Sequence, residues 1–254
     1  MDVKGLYEVI AKRKSVRKYS LEPLDHHMLG KVEAYAEGLQ PLDKDIKVEI
    51  KFLSQKEVKL VLFPIKAPHY MVAFSEEKEG YLANVGFMFQ QMDLFLSANS
   101  LGSCWLGVAK PTKEILKKSK LKSVVILAFG EADEKLHRES ISEFKRKPLE
   151  KISDHFKRKD LIEAARLAPS STNSQPWFFT GSENIIHAYC IKTSGIKALI
   201  YKKLNKIDMG IGICHIWIAA QKQGYTPRIF YDSEAVSCAP AGYSYMNSIA
   251  LTQV

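Results

Sequence analysis

The sequence predicts an α+β protein with two pseudo-symmetric halves in one chain, and three observations lead to this class. Apolar residues recur at helical spacing in some segments and alternate with polar residues in others, so helices and strands alternate along the chain. A similar succession of helix, strand and long apolar helix occurs twice. No proline-rich or glycine-rich linker separates the two successions, so we expect a single domain over residues 1–254, with repeats of about residues 1–152 and 153–254.

The first half opens with two predicted helices, one carrying an apolar stripe and one capped by Asp25. Apolar and charged residues then alternate over Ile46–Phe52, which is typical of a half-buried strand. The expected elements are, in order, a helix over residues 6–13, a helix through residues 28–35, a strand over 46–52, a strand over 69–74, a long apolar helix over 82–96, a short helix after Thr112 and a buried strand over 124–129.

The second half repeats this plan. Its expected elements are a helix ending at Leu167, a hairpin over Trp177–Cys190, a helix from Ser194, a long apolar helix over Ile207–Gln223, and closing strands near Arg228–Tyr231 and Tyr243–Leu251. The repeat is clearest in the two long apolar helices, since the helix with Asn84 parallels the helix with Asp208. We expect each of them to run to a glycine, Gly102 or Gly224, and then into a loop and a strand.

Composition excludes several classes of protein. The longest apolar runs are shorter than the roughly 18 residues that a membrane helix needs, and the amino terminus lacks a basic-then-apolar signal. The 4 cysteines lie far apart with no C-x-x-C pair, which argues against a disulfide framework and a structural zinc site. We therefore expect a soluble, cytoplasmic protein that has no bound metal and does not associate with membranes.

The formal net charge of +9 allows two interpretations. Such a field attracts anions, whether nucleic acid or a small phosphorylated cofactor. A nucleic-acid-binding domain is supported by charge alone, because no zinc finger, RNP-like aromatic motif or periodic basic stripe accompanies it. The runs of lysine are equally typical of solvated helix faces. We expect small-molecule substrates and no nucleic-acid partner.

The sharpest motif is Ala168–Trp177, which reads A-P-S-S-T-N-S-Q-P-W and lies between a predicted helix and a predicted strand. Proline stops the helix, and two serines and an asparagine present short hydrogen-bonding groups on a stiff turn. A ligand-binding turn is one interpretation. The other is a capping turn that only leads into the strand, since serine and asparagine are common turn residues.

Two further segments carry weaker signals. Arg13–Arg17 reads R-K-S-V-R, in which arginine guanidinium groups can bind phosphate bidentately and a serine hydroxyl adds a donor. In an extended segment Arg13, Ser15 and Arg17 would lie on one side, with Val16 facing the core. The alternative is a helix end with basic residues near the negative pole of the dipole. Leu101–Gly107 is a glycine-bounded segment, expected to be a loop after a long helix.

In this combination the sequence resembles the nitroreductase family, whose members hold FMN at a dimer interface. That family shows an R-R-S-V-R-like segment, a P-S-x-x-N-x-Q-P-W segment after a helix, a G-L-G-S-x-W-L-G-like loop and a late basic residue before P-L-E. The matching stretches here are Arg13–Arg17, Pro169–Trp177, Leu101–Gly107 and Arg146–Glu150. The resemblance implies a nitroreductase-like fold with mixed, mainly antiparallel sheets packed with helices.

The resemblance also implies roles for individual residues. The FMN phosphate would be held by Arg13, Ser15, Arg17 and Arg146. The isoalloxazine ring and ribityl chain would be contacted by the turn of Pro169, Ser170, Ser171 and Asn173. The backbone N–H near Leu106 and Gly107 would point at the reactive flavin nitrogen.

The order of the motifs differs from that of ordinary family members, in which the P-S-x-x-N segment follows shortly after the first arginines. Here Leu39–Asp43 occupies that place without the serines or the asparagine, and the second half has Phe156–Lys159 where an R-x-S-x-R segment would stand. Each half keeps what the other lacks, so the chain resembles a branch in which one chain mimics the family dimer. This implies one FMN per chain in a site completed within the chain, and a monomer or a non-obligate homodimer.

The implied activity is FMN-dependent transfer of hydride from NAD(P)H to a small acceptor such as a nitroaromatic or a quinone, with ping-pong kinetics. The flavin performs this chemistry, so no catalytic side chain is expected. The alternative is a non-catalytic FMN-binding carrier or sensor. Lys66 and His69 lie in the neighbourhood of the family's ring-edge contacts without matching a motif, and Cys104 is more typical of a small buried hydrophobe than of a redox thiol.

Overall fold

The computed structural model describes residues 3–61, 64–154, 157–195 and 198–253. Its helices are α1 (Val3–Ile10), α2 (His26–Glu37), α3 (Tyr81–Ala98), α4 (Lys113–Leu116), α5 (Lys159–Arg166), α6 (Ala198–Lys222) and α7 (Ser233–Ser237). Its strands are β1 (Val48–Leu53), β2 (Val58–Lys59), β3 (His69–Ser75), β4 (Gly102–Leu106), β5 (Lys110–Pro111), β6 (Lys122–Gly130), β7 (Trp177–Gly181), β8 (Ile185–Ile191), β9 (Tyr225–Phe230) and β10 (Tyr243–Gln253).

The chain divides into two compact units, one of Lys12–Glu139 and one of Ser140–Val254 together with Met1–Ala11. We call them the 12–139 unit and the 140–254 unit. The first helix belongs to the latter because α1 packs against α6. The boundaries between the two units lie near residues 11 and 139, whereas the sequence predicts a boundary between the repeats near residue 152. That one domain spans the chain stays a prediction.

In the 12–139 unit, antiparallel strands form a sheet in the order β1-β3-β6-β4. The central strands β3 and β6 are buried along nearly their whole length, as expected for continuous apolar runs. Helix α3 packs against β3, β4 and β6, and its side chains from Leu82 to Ser97 are buried. A helix that is apolar on all sides has to lie inside the protein, so α3 forms the centre of this unit.

The 140–254 unit repeats this arrangement. Its sheet has the order β7-β8-β10-β9, again antiparallel, and α6 packs against all four of these strands and against α5. Strand for strand the order matches β1-β3-β6-β4, and the helices α5 and α6 take the places of α2 and α3. The same topology in both units confirms the predicted α+β class and the pseudo-symmetry of the two halves.

Several local predictions need correction. The first helix ends at Ile10 rather than near Arg13, and Ala198–Lys222 is one helix, α6, where the sequence predicts a helix from Ser194 and another over Ile207–Gln223. No glycine or proline lies between residues 198 and 209, so nothing in that sequence interrupts the helix. The segment Leu101–Gly107 is a strand, β4, because it pairs with β6. Phe156, the first residue of the Phe156–Lys159 segment, lies outside the described residues.

Each long helix is predicted to run to a glycine, and the left-handed residue that follows the helix is that glycine in one half only. Gly224, just after α6, has φ 82°, and its counterpart just after α3 is Ser100 with φ 62°, not Gly102. Gly102 instead permits a close approach, since a Cβ there would lie 2.8 Å from the side chain of Val16. None of the described helices is long and apolar enough to cross a membrane.

Candidate functional site: the serine–asparagine turn and the basic segment

The turn after α5, which we call the Ser170–Gln175 turn, has an unusual backbone. Thr172, Asn173 and Gln175 adopt φ values of 53°, 58° and 48°. Residues with a side chain rarely occupy this left-handed region, because the Cβ atom then crowds the carbonyl oxygen. Such a conformation persists only where the surrounding structure holds it, and it is concentrated at functional sites.

Side chains of the turn and of the segment before α5 hold this backbone. The Ser170 hydroxyl accepts a hydrogen bond from the amide of Gln175 at 2.9 Å. The Asn173 side chain accepts one from Nη1 of Arg146 at 2.6 Å and donates one to the carbonyl of Lys145 at 2.7 Å. The backbone amide of Lys147 donates to the Gln175 side chain at 2.7 Å. The turn is therefore fixed at both ends by a polar frame.

Helix α6 adds a buried carboxylate to this frame. Both oxygens of Asp208 accept from the amide of Ser171, at 3.1 and 3.0 Å, and the Ser174 hydroxyl lies 3.5 Å away. Asp208 is only 3% exposed. Burial raises its pKa to about 7, although the bonds from Ser171 and Ser174 act in the opposite direction. The carboxyl group therefore changes its charge near neutral pH.

The structure thus brings together Arg146 and the four predicted turn residues, Pro169, Ser170, Ser171 and Asn173, in one polar cluster. Pro169 is buried, and Asn173 is exposed. Arg146 was expected to help bind phosphate. Its guanidinium bonds Asn173 and the carbonyl of Leu167, so it braces the turn, and its part in binding phosphate stays a prediction.

The basic segment Arg13–Arg17 belongs to the 12–139 unit. Arg13 is 2% exposed, and its Nε lies 3.0 Å from Asp93, which is fully buried in α3. The Asp93 carboxylate also accepts from Gln90 at 3.0 Å and from the Ser103 hydroxyl. A buried charge needs such partners, because isolated burial of an ion is very costly.

Around Ser15 the two arginines differ in exposure. Nη2 of Arg13 lies 3.3 Å from the Ser15 hydroxyl, and Nη1 of Arg17 donates to the Ser15 carbonyl at 3.4 Å. Arg17 is exposed and Ser15 half-buried, while Val16 is fully buried as expected. Arg13 and Arg17 therefore differ in burial, because Asp93 holds Arg13 in the core; that Arg13, Ser15 and Arg17 together bind a phosphate stays a prediction.

The carboxylate of Glu134 fixes the backbone of this segment. It accepts from the amide of Arg17 at 2.6 Å and from the Lys14 ammonium at 3.1 Å. Burial is the largest single influence and tends to raise its pKa, but the bonds from the Arg17 and Lys18 amides and from Lys14 together outweigh it and hold the pKa below its ordinary value. The segment is thus held at its backbone, while the Arg17 side chain remains exposed.

The third predicted segment ends at the tip of β4. Leu106 is the last residue of that strand and is buried, and Gly107 follows in an exposed turn. Cys104, two residues earlier, is 4% exposed in the core of the unit. Burial raises its pKa to about 11, which supports a packed hydrophobe rather than a reactive thiol.

Lys66 and His69, to which the sequence assigns no role, differ in burial and in their contacts. Nε2 of His69 accepts from the amide of Leu24 at 2.9 Å, its ring stacks on Phe129 at 5.3 Å, and burial lowers its pKa. His69 is thus a neutral structural residue, while Lys66 is exposed. In the part of the chain that the structure describes, no group of three or more His, Cys, Asp or Glu side chains could hold a metal ion.

Asp93 and Asp208 are the functional neighbours that sequence reasoning missed. Each is the one acidic residue of its long helix and is flanked on both sides by apolar residues. That contrast is a usable signal, since a buried carboxylate needs a partner and marks the place where one must be found. The parallel between Asn84 and Asp208 was noticed, but the sequence does not show what either residue bonds.

Comparison with known proteins now decides the family. Residues 5–220 match a family model described as "Putative TM nitroreductase". The chain belongs to this nitroreductase family. None of the curated proteins matches the chain.

Solved structures agree with the nitroreductase assignment. One from Thermotoga maritima, described as a "putative nitroreductase", has a TM-score of 0.66 at 19% identity and covers 99% of this chain and 93% of its own. A nitroreductase family protein of Clostridium difficile has a TM-score of 0.46 at 17% identity, covering 61% of this chain and 98% of its own. The full-length likeness establishes the nitroreductase fold, and the family assignment supports an oxidoreductase.

Proposed function

We propose that this nitroreductase-family chain binds FMN and passes hydride from NAD(P)H to a small acceptor such as a nitroaromatic or a quinone. The observation that carries the proposal is the Ser170–Gln175 turn. It matches the family's most specific motif, and a strained backbone and a dedicated polar frame hold it. A turn that only capped a helix would not need that frame. An FMN-dependent nitroreductase of Clostridium difficile is among the similar solved structures.

The residues present fit a flavin. The turn offers hydroxyl, amide and backbone donors, and Arg17 offers an exposed guanidinium beside Ser15. Arg17 and Ser15 would bind the phosphate, with Arg13 anchoring the segment through Asp93. Ser170, Ser171 and Asn173 would contact the ring and the ribityl chain, with Arg146 bracing Asn173.

FMN supplies the hydride chemistry when it is bound, so the protein's part is to bind and orient it. The backbone at Leu106 and Gly107 would offer an N–H to the reactive ring nitrogen. No side chain is assigned as a catalytic acid, base or nucleophile. The motifs for phosphate and for ring each occur once, so one flavin per chain stays our prediction from the sequence.

The test begins with the visible spectrum of the purified chain after addition and removal of excess FMN. A retained yellow chromophore is expected, at one flavin per polypeptide by absorbance. Oxidation of NADH or NADPH at 340 nm should then require both FMN and an acceptor, and double-reciprocal plots at several acceptor concentrations should be parallel. Bound flavin without NAD(P)H oxidation would instead indicate a carrier or sensor.

A matched pair of variants links the activity to the basic segment. Arg17→Ala should weaken FMN binding by about tenfold or more, since charge-assisted bonds contribute roughly 1.5–3 kcal/mol each. Lys18→Ala removes a neighbouring charge that is also exposed and should leave the affinity unchanged. An equal loss of FMN affinity in both variants would mean that the phosphate is attracted only by the overall positive charge of the segment. Salt-dependent nucleic-acid binding without a chromophore would contradict the proposal.

A further inference from the structure

The 12–139 unit contains a counterpart of the Ser170–Gln175 turn, and the two turns are held alike by their long helices. In α3, Oδ1 of Asn84 accepts from the amides of Leu42 at 2.7 Å and Asp43 at 3.0 Å. In α6, the carboxylate of Asp208 accepts from the amide of Ser171. A buried side-chain oxygen therefore fixes the turn in both units. One oxygen belongs to a neutral amide and the other to an acid.

The backbones of the two turns differ in strain. Three residues of the Ser170–Gln175 turn are left-handed, and none of the described residues of Leu39–Asp43 is. Neutral amides suffice for the relaxed turn, since Gln91 of α3 also bonds the Gln40 amide and carbonyl there, at 3.1 and 2.7 Å. The acid is found where the backbone is strained, and hydrogen bonds to an ionised acceptor are roughly twice as strong as neutral ones. The stronger acceptor thus accompanies the conformation that is harder to hold.

We propose that Asp208 is the positioning residue of the Ser170–Gln175 turn, and that its ionised carboxylate holds the strained backbone in the conformation that receives the flavin. This inference rests on the proposed function, because it names what controls the flavin-binding turn. Asn84 is the uncharged counterpart in a turn that carries no flavin motif. The protein should accordingly bind flavin more tightly when Asp208 is ionised than when it is protonated.

The groups that face Asp208 come from two elements. The turn contributes the Ser171 amide and the Ser174 hydroxyl, and β8 contributes the thiol of Cys190. Burial raises the pKa of Cys190 to about 12, so the thiol stays neutral near neutral pH. The charge that changes between pH 6 and 8 among these groups is that of Asp208, whose pKa is raised to about 7.

Stability and flavin affinity should therefore respond to pH in opposite directions. The pKa of Asp208 is raised in the fold, so the unfolded chain releases this proton first, and the group lowers stability as pH rises from about 4 to 7. Over the upper part of this range the carboxylate forms and flavin affinity rises. If Asp208 had only a general structural role, stability and flavin affinity would change in the same direction with pH.

The experiment measures dissociation constants from pH 5.5 to 8.5 by quenching of flavin fluorescence, with FMN and riboflavin as probes. Riboflavin is needed because a phosphate itself ionises near pH 6. The wild-type affinity for riboflavin should rise about fivefold to tenfold across the range. Asp208→Asn should keep the weak low-pH affinity throughout, and without flavin it should be more thermally stable than the wild type at pH 8.

Two further variants complete the test. Asn84→Ala removes the equivalent bonds in the other turn, and it should lower the thermal midpoint while leaving the flavin affinity unchanged. Asp208→Ala, which accepts no hydrogen bond, should weaken flavin binding at every pH. The same pH slope in wild type and Asp208→Asn, or an equal loss of flavin in Asn84→Ala, would overturn the role of Asp208. A wild-type chain that binds neither probe would overturn the proposed function itself.

Discussion

The two units share a topology, yet their equivalent turns have different chemistry. After α2, Leu39–Asp43 has an exposed glutamine, a proline and an aspartate, without serine or asparagine, on a relaxed backbone that the neutral Asn84 holds. After α5, the Ser170–Gln175 turn presents hydroxyls and an amide on a strained backbone, held by the buried acid Asp208. Strain and a buried ionisable group therefore occur together, in the turn that carries the family motif.

This contrast separates the requirements of the fold from those of binding. Both turns connect a helix to a strand of the same sheet order, so the fold needs only a capped connection there. Left-handed residues and a desolvated carboxylate both reduce stability, and the relaxed turn shows that the connection can form without them. Their presence in only one of the two equivalent turns is what a binding requirement would produce.

The basic segments of the two units differ in the same way. In the 12–139 unit, Arg17 is exposed at the end of a segment anchored by Arg13. In the 140–254 unit, Arg158 is 8% exposed, bonds Asp160 and Gln223, and lies over the ring of Tyr225 at 4.5 Å. Its guanidinium is thus engaged within its own unit, whereas that of Arg17 points to solvent.

The largest expected effect is a loss of stability on substitution of Arg13, which substitution of Arg17 should not cause. Arg13→Ala leaves Asp93 buried without its ion-pair partner, and breaking a buried pair typically costs about 3–5 kcal/mol of stability. Arg17→Ala, at an exposed position, should change stability by less than about 0.5 kcal/mol. Urea denaturation of both variants measures the difference.

Lys14→Ala is the matched control, because it breaks the half-exposed pair with Glu134 in the same segment. It should cost no more than about 1 kcal/mol. If Arg13→Ala proved as mild as Lys14→Ala, Arg13 would not be an anchor. The division of roles between Arg13 and Arg17 would then be wrong.

The next effect comes from placing an acid in the relaxed turn. Asn84→Asp puts a carboxylate at a fully buried position that has no left-handed backbone to support. It should destabilise the protein by roughly 1–3 kcal/mol at pH 8. The cost should be smaller at pH 5, where a buried acid with a raised pKa is protonated. Thermal melts at the two pH values test this, and a cost that does not vary with pH would contradict it.

An effect of similar size is expected where β4 meets the basic segment. An added methyl group at Gly102 would lie 2.8 Å from the buried side chain of Val16, and the Val16 amide bonds the Ser103 carbonyl at 2.9 Å. Gly102→Ala should cost about 1–3 kcal/mol by overpacking and shift the backbone that carries Arg17. Gly30→Ala, at a helical position with open space, should be neutral or slightly stabilising.

The sequence predicts much of the fold and the location of the polar turn. The apolar residues of the sequence indicate the central strands β3 and β6 and the helix α3. Each of these elements is buried along nearly its whole length, so most of its consecutive residues are apolar. The repeat indicates that Asn84 and Asp208 are equivalent. The string Pro169–Trp177 marks the turn whose backbone is strained.

Other features depend on tertiary partners that local sequence does not contain. Asp93 pairs with Arg13 across 80 positions of the chain, so the burial of Arg13 follows from a residue in another element. Leu101–Gly107 has the glycines of a loop, yet pairing with β6 makes it a strand. The left-handed conformation of Ser100 could not be predicted either, since nothing in a serine requires it.

The smallest expected effect tests backbone strain directly. Thr172 is exposed and left-handed, a conformation that costs a residue with a Cβ atom roughly 1–2 kcal/mol, whereas glycine adopts it freely. Thr172→Gly should therefore raise stability by about 0.5 kcal/mol, after the entropic cost of glycine and the loss of the hydroxyl bond to Ser171. Lys44→Gly is the matched change just beyond the relaxed turn. Lys44 is also exposed but is not left-handed, so this variant should lose about 0.5–1 kcal/mol. Urea denaturation of both variants in the flavin-free protein shows whether each substitution raises or lowers the free energy of unfolding. Opposite signs would locate the strain in the flavin-motif turn, and a loss in both would mean that Thr172 adopts its conformation without cost.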